Sequence, residues 1–249
     1  LARIVRAADI QAGDRVLEIG PGRGALTEKL LCSQAELIHA IELDRDLVDG
    51  LKKRFYRQER FSLQEGDFLS ININENNGNK LNKVVANIPY NITSPLLDKL
   101  LGKLGGAPET TFTKLVLLMQ KEVADRIIAI PGKHQFSAMS VRIQLLAHAF
   151  AVCDVPPKCF KPRPKVDSKV VVLEPLPQDK RQDLGIERKV DTLLKKAFLA
   201  RRKKLKNTLV GISTQSKLQS VADSLGISLD QRPQELSPTM WVKFAKALE

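Results

Sequence analysis

The sequence predicts an α/β fold, in which parallel strands alternate with helices, followed by a small all-α C-terminal domain. From Asp14 to about Leu118, short β-rich runs alternate with amphipathic stretches of helical length. Beyond Pro177 only helical patterns remain. Of the 249 residues, 43% are hydrophobic and 27% charged, a composition typical of a globular protein that buries a sizeable core.

The first half of the chain contains the regular alternation. Strands are predicted at Arg15–Ile19, Leu37–Ile41, Phe61–Glu65, Lys83–Asn87 and Lys114–Met119. Helices are predicted at Ala25–Cys32, Arg45–Arg57 and Pro95–Leu104, where Pro95 suits a first helical turn. The polar, Asn-rich stretch Asn72–Asn82 is predicted to be a loop.

The second half is predicted to close the sheet and then become helical. After a helix at Glu122–Ile130, Val141–Val155 and Lys169–Leu173 resemble a strand pair joined by the proline-rich stretch Pro156–Lys165. Helical patterns follow at Arg188–Leu209, Ser216–Leu225 and Thr239–Leu248. We therefore expect two domains, residues 1–177 and residues 178–249.

Positive charge is concentrated in one segment of the chain. Lys and Arg number 40 against 28 Asp and Glu, a net charge of +12 that favours a polyanionic partner, nucleic acid first. Residues 156–206 contain 16 Lys and Arg but only 6 Asp and Glu, a net +10. The partner is therefore expected to bind near this segment.

Metal, disulfide and membrane functions have little support. The three cysteines lack metal-ligand or disulfide-framework spacing and suit a reducing compartment, so a cytoplasmic location is expected. The three histidines are scattered, which disfavours a metal site or a Cys–His nucleophile. No apolar run approaches the roughly 18 residues needed to cross a bilayer.

A glycine-rich turn joins the first strand to the first helix. Gly20, Gly22 and Gly24 are spaced G-x-G-x-G, unlike the dinucleotide pattern G-x-G-x-x-G. Such glycines let a ligand approach the backbone at a helix N-terminus, although close helix–strand packing alone also requires them.

Two further strand ends add chemistry that suits a nucleoside. Glu42 ends the second strand, where a carboxylate can accept hydrogen bonds from both ribose hydroxyls. Asp67 and Phe68 follow the third strand, where Asp67 could accept a hydrogen bond from an adenine amine and Phe68 could cover the adenine ring. Taken singly, Glu42 also fits a surface carboxylate, and the Asp67–Phe68 segment also fits a turn. Together the three loops predict a crevice for an adenosine-containing ligand, either a dinucleotide or a methyl donor.

The fourth strand ends in Asn87-Ile-Pro-Tyr90, which favours methyl transfer. The side-chain carbonyl of Asn87 and the main-chain carbonyl of Ile88 can converge on a planar amino group, because Pro89 fixes the turn. Tyr90 offers a flat ring for stacking. An exocyclic amine held by two acceptors can direct its lone pair at an electrophilic methyl, so the catalysis required is chiefly positioning.

These motifs resemble those of the KsgA family of ribosomal RNA adenine dimethyltransferases. The resemblance covers nearly the whole chain. It rests on Glu18–Gly22, Glu42–Asp44, Gly66–Asp67, Asn87–Tyr90, Gln120–Arg126, Phe160–Ser168 and Arg201–Asn207. It implies a Rossmann-like, seven-stranded class I methyltransferase domain with a helical C-terminal domain.

The resemblance also implies the reaction and the residues that perform it. S-adenosylmethionine would dimethylate two adjacent adenosines in the 3′-terminal hairpin loop of small-subunit ribosomal RNA, on the 30S subunit or its precursor, with the enzyme a monomer. The methyl donor would be bound by Gly20, Gly22, Glu42, Leu43, Asp67, Phe68 and Asn87. The target adenine would be held by Asn87, Ile88, Pro89 and Tyr90. Phe160 is a candidate second stacking surface, or else an anchor beneath the proline-rich loop.

The sequence departs from the family at its start. Family members usually begin with a Gln-x-Phe-Leu segment that folds over the methyl donor, and no residue of this sequence matches it. A protein without that segment is expected to bind the donor more weakly.

Basic residues mark the expected RNA surface. At about 100° per residue, the stretch Lys195–Lys206 would place most of its cations on one helical arc. The predicted RNA contacts are Lys161, Arg163, Lys165, Arg201, Arg202, Lys203, Lys204 and Lys206. The alternative interpretation of such a run of charged residues is a helix face that only contacts solvent.

Two alternatives remain open. One is a large-subunit adenine methyltransferase of the antibiotic-resistance (Erm) type, which usually has Phe where this sequence has Tyr90. The other is a non-catalytic assembly or transcription factor that keeps the fold and the RNA surface. The intact Asn87–Tyr90 motif disfavours the second alternative as a sole role.

Overall fold

A computed structural model describes residues 1–73, 80–106 and 112–248. The described chain forms two compact units. The sheet unit contains the described residues of Leu1–Leu101, Pro108–Ala124 and His148–Pro175. The helical unit contains those of Gly102–Ala107, Asp125–Ala147 and Leu176–Glu249. The division into residues 1–177 and 178–249 stays a prediction about independent domains.

The described residues form a seven-stranded sheet, which confirms the predicted α/β fold. Its strands are β1 (Arg15–Ile19), β2 (Leu37–Glu42), β3 (Phe61–Glu65), β4 (Lys83–Asn87), β5 (Lys114–Gln120), β6 (Ala147–Val155) and β7 (Ser168–Pro175). Their spatial order is β3-β2-β1-β4-β5-β7-β6. The first five strands pair in parallel, and β7 is antiparallel to β5.

The middle of the sheet is buried, because helices pack on it and its strands are almost continuously apolar. Val16, Val85 and Val116 share a core cluster with Ile4 and Leu30. The helices of the sheet unit are α1 (Ala2–Ala8), α2 (Ala25–Leu31), α3 (Arg45–Phe55) and α4 (Thr93–Leu101). In space, the chain runs outward from β1 in both directions, to β2 on one side and β4 on the other. Ligands of open α/β sheets bind at such a switch point, at the carboxyl ends of the strands.

The helical unit has a core of its own. The remaining helices of the described chain are α5 (Lys121–Ile128), α6 (Ala138–Leu146), α7 (Leu184–Phe198), α8 (Leu205–Thr208), α9 (Gln215–Ser224) and α10 (Pro238–Ala247). The rings of Trp241 and Phe244 in α10 are fully buried. Phe198 at the end of α7 lies against Trp241, with 6.2 Å between ring centroids.

Two expectations about elements were wrong. Val141–Leu146 belongs to helix α6, whereas a strand was expected over Val141–Val155. The hydroxyl of Ser140 accepts a hydrogen bond from the Ser137 N–H, at 2.8 Å, and this bond stabilises the start of the helix. Arg188–Leu209 is not a continuous helix, since α7 ends at Phe198. Beyond a turn, the N–H groups of Leu205 and Lys206 donate to the carbonyls of Gln231 and Leu229. The predicted basic arc over Lys195–Lys206 therefore does not form. Of the predicted loop Asn72–Asn82, residues 74–79 lie outside those described.

A buried ion pair lies in the helical unit, and its acid also binds the distant main chain of Gly105. Arg181 donates to Glu187 at 2.7 Å, and their side chains are 3% and 1% exposed. The other groups at Glu187 are the main-chain N–H of Gly105, at 2.8 Å, and Arg181 Nε, at 3.0 Å. A charge without a partner in such a site is costly, so each residue depends on the other.

Removing one partner of this pair should destabilise the protein strongly. We expect Arg181→Met to lower the free energy of unfolding by about 3–5 kcal/mol, because Glu187 would remain buried without its counter-ion. Arg45→Ala is the control: it removes the exposed pair with Glu65 and should cost about 1 kcal/mol or less. Urea unfolding followed by circular dichroism measures both. Equal effects of the two substitutions would contradict the structural role of the buried pair.

Candidate functional site

The predicted site residues at the ends of the first four strands lie along the carboxyl edge of the sheet, where these parallel strands all end. In the parallel register Ile19 is opposite Ile41 and Ala86, and Glu42 is opposite Glu65. The residue that follows each of these paired positions therefore lies at the same carboxyl edge. These residues are Gly20, Leu43, Gly66 and Asn87. A Cβ at Gly20 would lie 3.9 Å from the main-chain oxygen of Asn87, so the glycine loop and the tip of β4 are neighbours.

The glycine loop needs glycine at Gly20 and Gly24 for different reasons. Gly20 has φ 66°, a left-handed conformation that other residues adopt at a cost. At Gly24 a Cβ would lie 2.6 Å from the ring of Phe55 in α3. The loop carbonyl of Arg23 accepts a hydrogen bond from Arg54, at 2.7 Å, and Arg54 also pairs with Glu28. Helix α3 therefore fixes the shape of this loop.

Glu42 holds backbone groups of two loops. Its side chain is buried and accepts hydrogen bonds from the N–H groups of Gly22, Leu43 and Asp44, at 2.9, 2.9 and 3.0 Å. Oε1 accepts two of these bonds and Oε2 one, so Oε2 keeps acceptor capacity. The neighbouring Leu43 side chain is 69% exposed at the same edge.

The loop after β3 is organised by a residue that sequence reasoning missed. Asp67 is exposed and caps its own turn by accepting from the Leu69 N–H at 2.9 Å. Phe68 is almost wholly buried, so most of its ring packs inside the sheet unit. Lys99 of α4 donates to the carbonyls of Leu69 and Ile71 and lies 5.3 Å from the Phe68 ring centroid. The sequence holds no local signal for this role of Lys99, because thirty positions separate it from Leu69.

The Asn87–Tyr90 turn offers two free acceptors. Asn87 is exposed and its side-chain amide has no protein partner within the part of the chain that the structure describes. Ile88 is buried and its N–H donates to Leu118, at 2.9 Å. Its carbonyl has no donor among the described residues. Both oxygens are therefore available to a ligand amine.

The ring of Tyr90 is held from across the sheet. Its hydroxyl lies 2.7 Å from the hydroxyl of Ser168, the fully buried first residue of β7. Tyr90 itself is half-buried. This bond fixes the direction of the ring and leaves part of it accessible.

The loop between β6 and β7 presents the remaining predicted groups of the sheet unit. Phe160 is partly buried and packs against the core cluster that contains Ile4 and Val170. The side chains of Lys161, Arg163 and Lys165 are exposed.

The predicted cations of the helical unit divide into two sets. Lys204 and Lys206 both pair with Asp230 at 2.9 Å, and their hydrogen bonds lower the pKa of Asp230 to about 2. Arg201 donates to the carbonyl of His134. The side chains of Arg202 and Lys203 are exposed and form no bond to any described residue.

A buried acid lies beneath the glycine loop. Glu18 of β1 is 1% exposed, and neither carboxyl oxygen makes a hydrogen bond of normal geometry to the described residues. Burial raises the pKa of Glu18 from 4.5 to about 8. The side chain and N–H of Thr27 oppose this shift in part, whereas the charge of Glu42 adds to it. Glu18 is therefore a neutral acid over most of the physiological range.

The described ranges lack two kinds of feature. In residues 1–73, 80–106 and 112–248, no helix has both the length and the apolar composition that a bilayer crossing requires. The same residues contain no cluster of three or more His, Cys, Asp or Glu side chains suited to a metal ion.

Comparisons with known proteins cover the whole chain. Residues 1–249 match the family model for ribosomal RNA adenine dimethylase. Ribosomal RNA small subunit methyltransferase A of Prochlorococcus marinus strain MIT 9211 is 62% identical over 248 residues, which cover 100% of this chain and 88% of that protein. The protein of the same name from Parasynechococcus marenigrum strain WH8102 is 56% identical over 248 residues, with 100% and 82% covered.

Two solved structures confirm the predicted methyltransferase fold. A dimethyladenosine transferase from Plasmodium falciparum is 29% identical and superposes with a TM-score of 0.82, covering 98% of this chain and 92% of that one. The 23S rRNA methyltransferase ErmE is 23% identical, with a TM-score of 0.77 and 99% and 96% covered. The likeness to ErmE concerns the fold alone.

Glu18 should make stability depend on pH. In the folded chain it keeps its proton up to about pH 8, whereas in the unfolded chain it ionises near 4.5, so raising the pH across this window favours unfolding. We expect Glu18→Gln to gain stability relative to wild type between about pH 5 and pH 8, by an amount on the order of a few kcal/mol. Urea unfolding at several pH values measures the difference. Glu59→Gln, at an exposed position, is the control, and parallel pH profiles for wild type and Glu18→Gln would contradict the prediction.

Proposed function

This chain belongs to the ribosomal RNA adenine dimethylase family, and from that membership we propose its reaction in detail. It uses S-adenosylmethionine to dimethylate the exocyclic amines of two adjacent adenosines in the 3′-terminal hairpin loop of small-subunit ribosomal RNA. The observation that carries the proposal is a pair of acceptors beside the glycine loop, the Asn87 amide oxygen and the Ile88 carbonyl, to which no described residue donates. The relatives named as small-subunit methyltransferases support the choice of substrate.

The residues at the carboxyl edge fit the proposed methyl donor. Gly20 brings backbone close to the crevice, and the buried Glu42 has an oxygen with spare acceptor capacity for a ribose hydroxyl. The exposed Leu43 offers apolar surface to an adenine, and Asp67 offers a carboxylate to its amine. The residues proposed to hold the donor are Gly20, Gly22, Glu42, Leu43, Asp67, Phe68 and Asn87. The donor supplies an activated methyl group, so the protein needs no covalent nucleophile.

Asn87 and Ile88 are proposed to orient the target amine. An adenine amine conjugated with its ring is a weak nucleophile, because its lone pair is delocalised. Two oxygens that accept its hydrogens favour a pyramidal nitrogen whose lone pair faces away from them. Pro89 keeps the two acceptors in one turn, since its ring restricts the backbone. After one methyl transfer the nitrogen still has a hydrogen for one acceptor, which allows a second transfer in the same pocket.

Tyr90 is proposed to stack on the target base. Its hydroxyl bond to Ser168 restrains the ring before the base arrives, which reduces the ordering cost of binding. The base must leave its RNA stack to reach this ring, so contacts to the surrounding backbone are also required.

The RNA contacts are proposed to come from exposed cations in both units. In the sheet unit they are Lys161, Arg163 and Lys165, next to the partly buried Phe160. In the helical unit Arg202 and Lys203 are the free candidates, whereas Arg201, Lys204 and Lys206 must exchange an internal bond for a phosphate. We propose that the enzyme acts as a monomer in the cytoplasm, on the 30S subunit or its precursor.

A subunit-specific methylation assay tests the proposed substrate. Purified enzyme and radiolabelled methyl donor are incubated with unmethylated small subunits and, separately, with large subunits. We expect product on the small subunit alone, and mass spectrometry of its 3′-terminal fragment should show four added methyl groups on two adjacent adenosines. Product confined to the large subunit would refute the proposal.

Substitutions in the Asn87–Tyr90 turn test the proposed mechanism. Asn87→Ala should lower turnover by about 100-fold or more through misplacement of the amine, while RNA affinity stays within about twofold. Tyr90→Phe and Ser168→Ala should each lower activity only about 2- to 10-fold, because both remove the same hydrogen bond and keep the ring. Tyr90→Ala should cost more than either. Unchanged turnover in Asn87→Ala would contradict the mechanism.

A further inference from the structure

A second run of basic residues lies in the sheet unit, outside residues 156–206 in the sequence. The last turn of α3 and the turn after it, residues 52–57, contain four Lys and Arg and no acidic residue. We call the side chains of Lys52, Lys53, Tyr56 and Arg57 the α3 patch.

The cations of the α3 patch are not used by the fold. Lys52, Lys53 and Arg57 are exposed, and within the described residues they form no ion pair or side-chain hydrogen bond. Asp49, one turn earlier in α3, pairs with neither lysine. Arg54 differs, because it is bound to Glu28 and to the Arg23 carbonyl. The patch therefore presents three uncompensated positive charges.

Tyr56 is the aromatic residue of this surface. Its side chain is 71% exposed and its hydroxyl has no partner in the part of the chain that the structure describes. The adjacent Phe55 is buried and lies 5.1 Å from Phe61, ring centroid to centroid. The core therefore uses Phe55 and leaves Tyr56 outside. The Arg57 guanidinium lies over the Tyr56 ring, 5.0 Å from its centroid, while Tyr56 as a whole stays exposed.

The α3 patch adjoins the glycine loop. Arg54 and Phe55 lie between Lys53 and Tyr56 in the sequence. Arg54 donates to the Arg23 carbonyl of that loop, and the Phe55 ring fills the space beside Gly24. A polymer that reaches the carboxyl edge of the sheet can thus continue over α3 within the same unit.

We propose that the α3 patch is a further RNA-contact surface, which stacks an unpaired base on Tyr56 and holds the flanking phosphates with Lys52, Lys53 and Arg57. This inference rests on the proposed ribosomal RNA substrate. An exposed aromatic ring among uncompensated cations is the combination that proteins use to bind single-stranded nucleic acid, in which bases stack and phosphates pair. An acidic protein partner would be attracted by the positive charges of the α3 patch but would not require an exposed aromatic ring. The exposed ring of Tyr56 therefore favours RNA as the partner.

The test measures binding of labelled full-length enzyme to unmethylated small subunits over a range of KCl concentrations. For Tyr56→Ala we expect affinity to fall roughly 5- to 100-fold with little change in salt dependence, because a stacked base is lost and no charge is removed. Tyr56→Phe should bind like wild type, and Tyr56→Leu should bind like Tyr56→Ala. For Lys52→Ala/Lys53→Ala, the slope of log affinity against log salt should become shallower by about 1.5, at about 0.7 to 0.9 per phosphate contact.

Lys243→Ala/Lys246→Ala in α10 is the matched control, because it removes two exposed, unpaired lysines from another helix. It should leave affinity and slope close to wild type. The inference is overturned if the patch variants bind like this control, or if Tyr56→Phe is as defective as Tyr56→Ala. An acidic protein partner would give the first of these results.

The same assays separate this inference from the proposed function. If wild-type enzyme gives no product on small subunits, the proposed function fails. If wild type methylates small subunits and the patch variants keep wild-type affinity, only the α3 patch assignment fails. Turnover at saturating subunit concentration should be unchanged in all patch variants, since none of these residues belongs to the proposed methyl-transfer site.

Discussion

The close approach between the glycine loop and the tip of β4 is the constraint on which the site depends. It follows from the parallel pairing of β1 with β4, in which Ile19 lies opposite Ala86 and the next residues, Gly20 and Asn87, meet at the sheet edge. In the proposed mechanism, a donor at the glycine loop and an amine held by Asn87 would therefore be neighbours. The sheet would then supply the proximity that methyl transfer requires, and the side chains the orientation.

Hydrogen bonding distinguishes the two buried acids beneath this edge. Glu42 accepts three backbone N–H groups, so its carboxylate is compensated and at the same time fixes Gly22, Leu43 and Asp44. Glu18 is also buried, but it makes no hydrogen bond of normal geometry to the described residues, and its pKa rises to about 8. The negative charge of Glu42 contributes to that rise. The two acids therefore differ in the backbone N–H groups that reach them, and burial dominates the pKa of Glu18.

The sequence predicted the strand ends well, because both the strand pattern and the loop chemistry are local. Gly20, Glu42, Asp67 and Asn87 each directly follow or end a recognisable strand, and parallel pairing brings such positions to one edge.

Contacts between distant residues could not be predicted in this way. The bond from Tyr90 to Ser168 spans 78 positions, and Lys99 reaches back to the loop after β3. The burial of Phe68 depends on that same packing. The bonds from the N–H groups of Leu205 and Lys206 to the carbonyls of residues 231 and 229 also join distant positions, and they lie beyond the end of α7 at Phe198.

A charge count from the sequence overstates how much positive charge is free, since it does not show which cations are already paired. Asp230 engages both Lys204 and Lys206, while Arg202 and Lys203 nearby in the chain have no ion pair with a described residue. In the sheet unit Glu28 engages Arg54, while Lys52, Lys53 and Arg57 have no acidic partner in the described ranges. A paired lysine contributes less to phosphate binding, because the acidic partner beside it cancels part of its positive charge and repels the phosphate. The net charge of residues 156–206 therefore overstates the positive charge that is available to a phosphate. Among the described residues, the cations without an ion pair also include Lys52 and Lys53 of α3, a helix outside that segment.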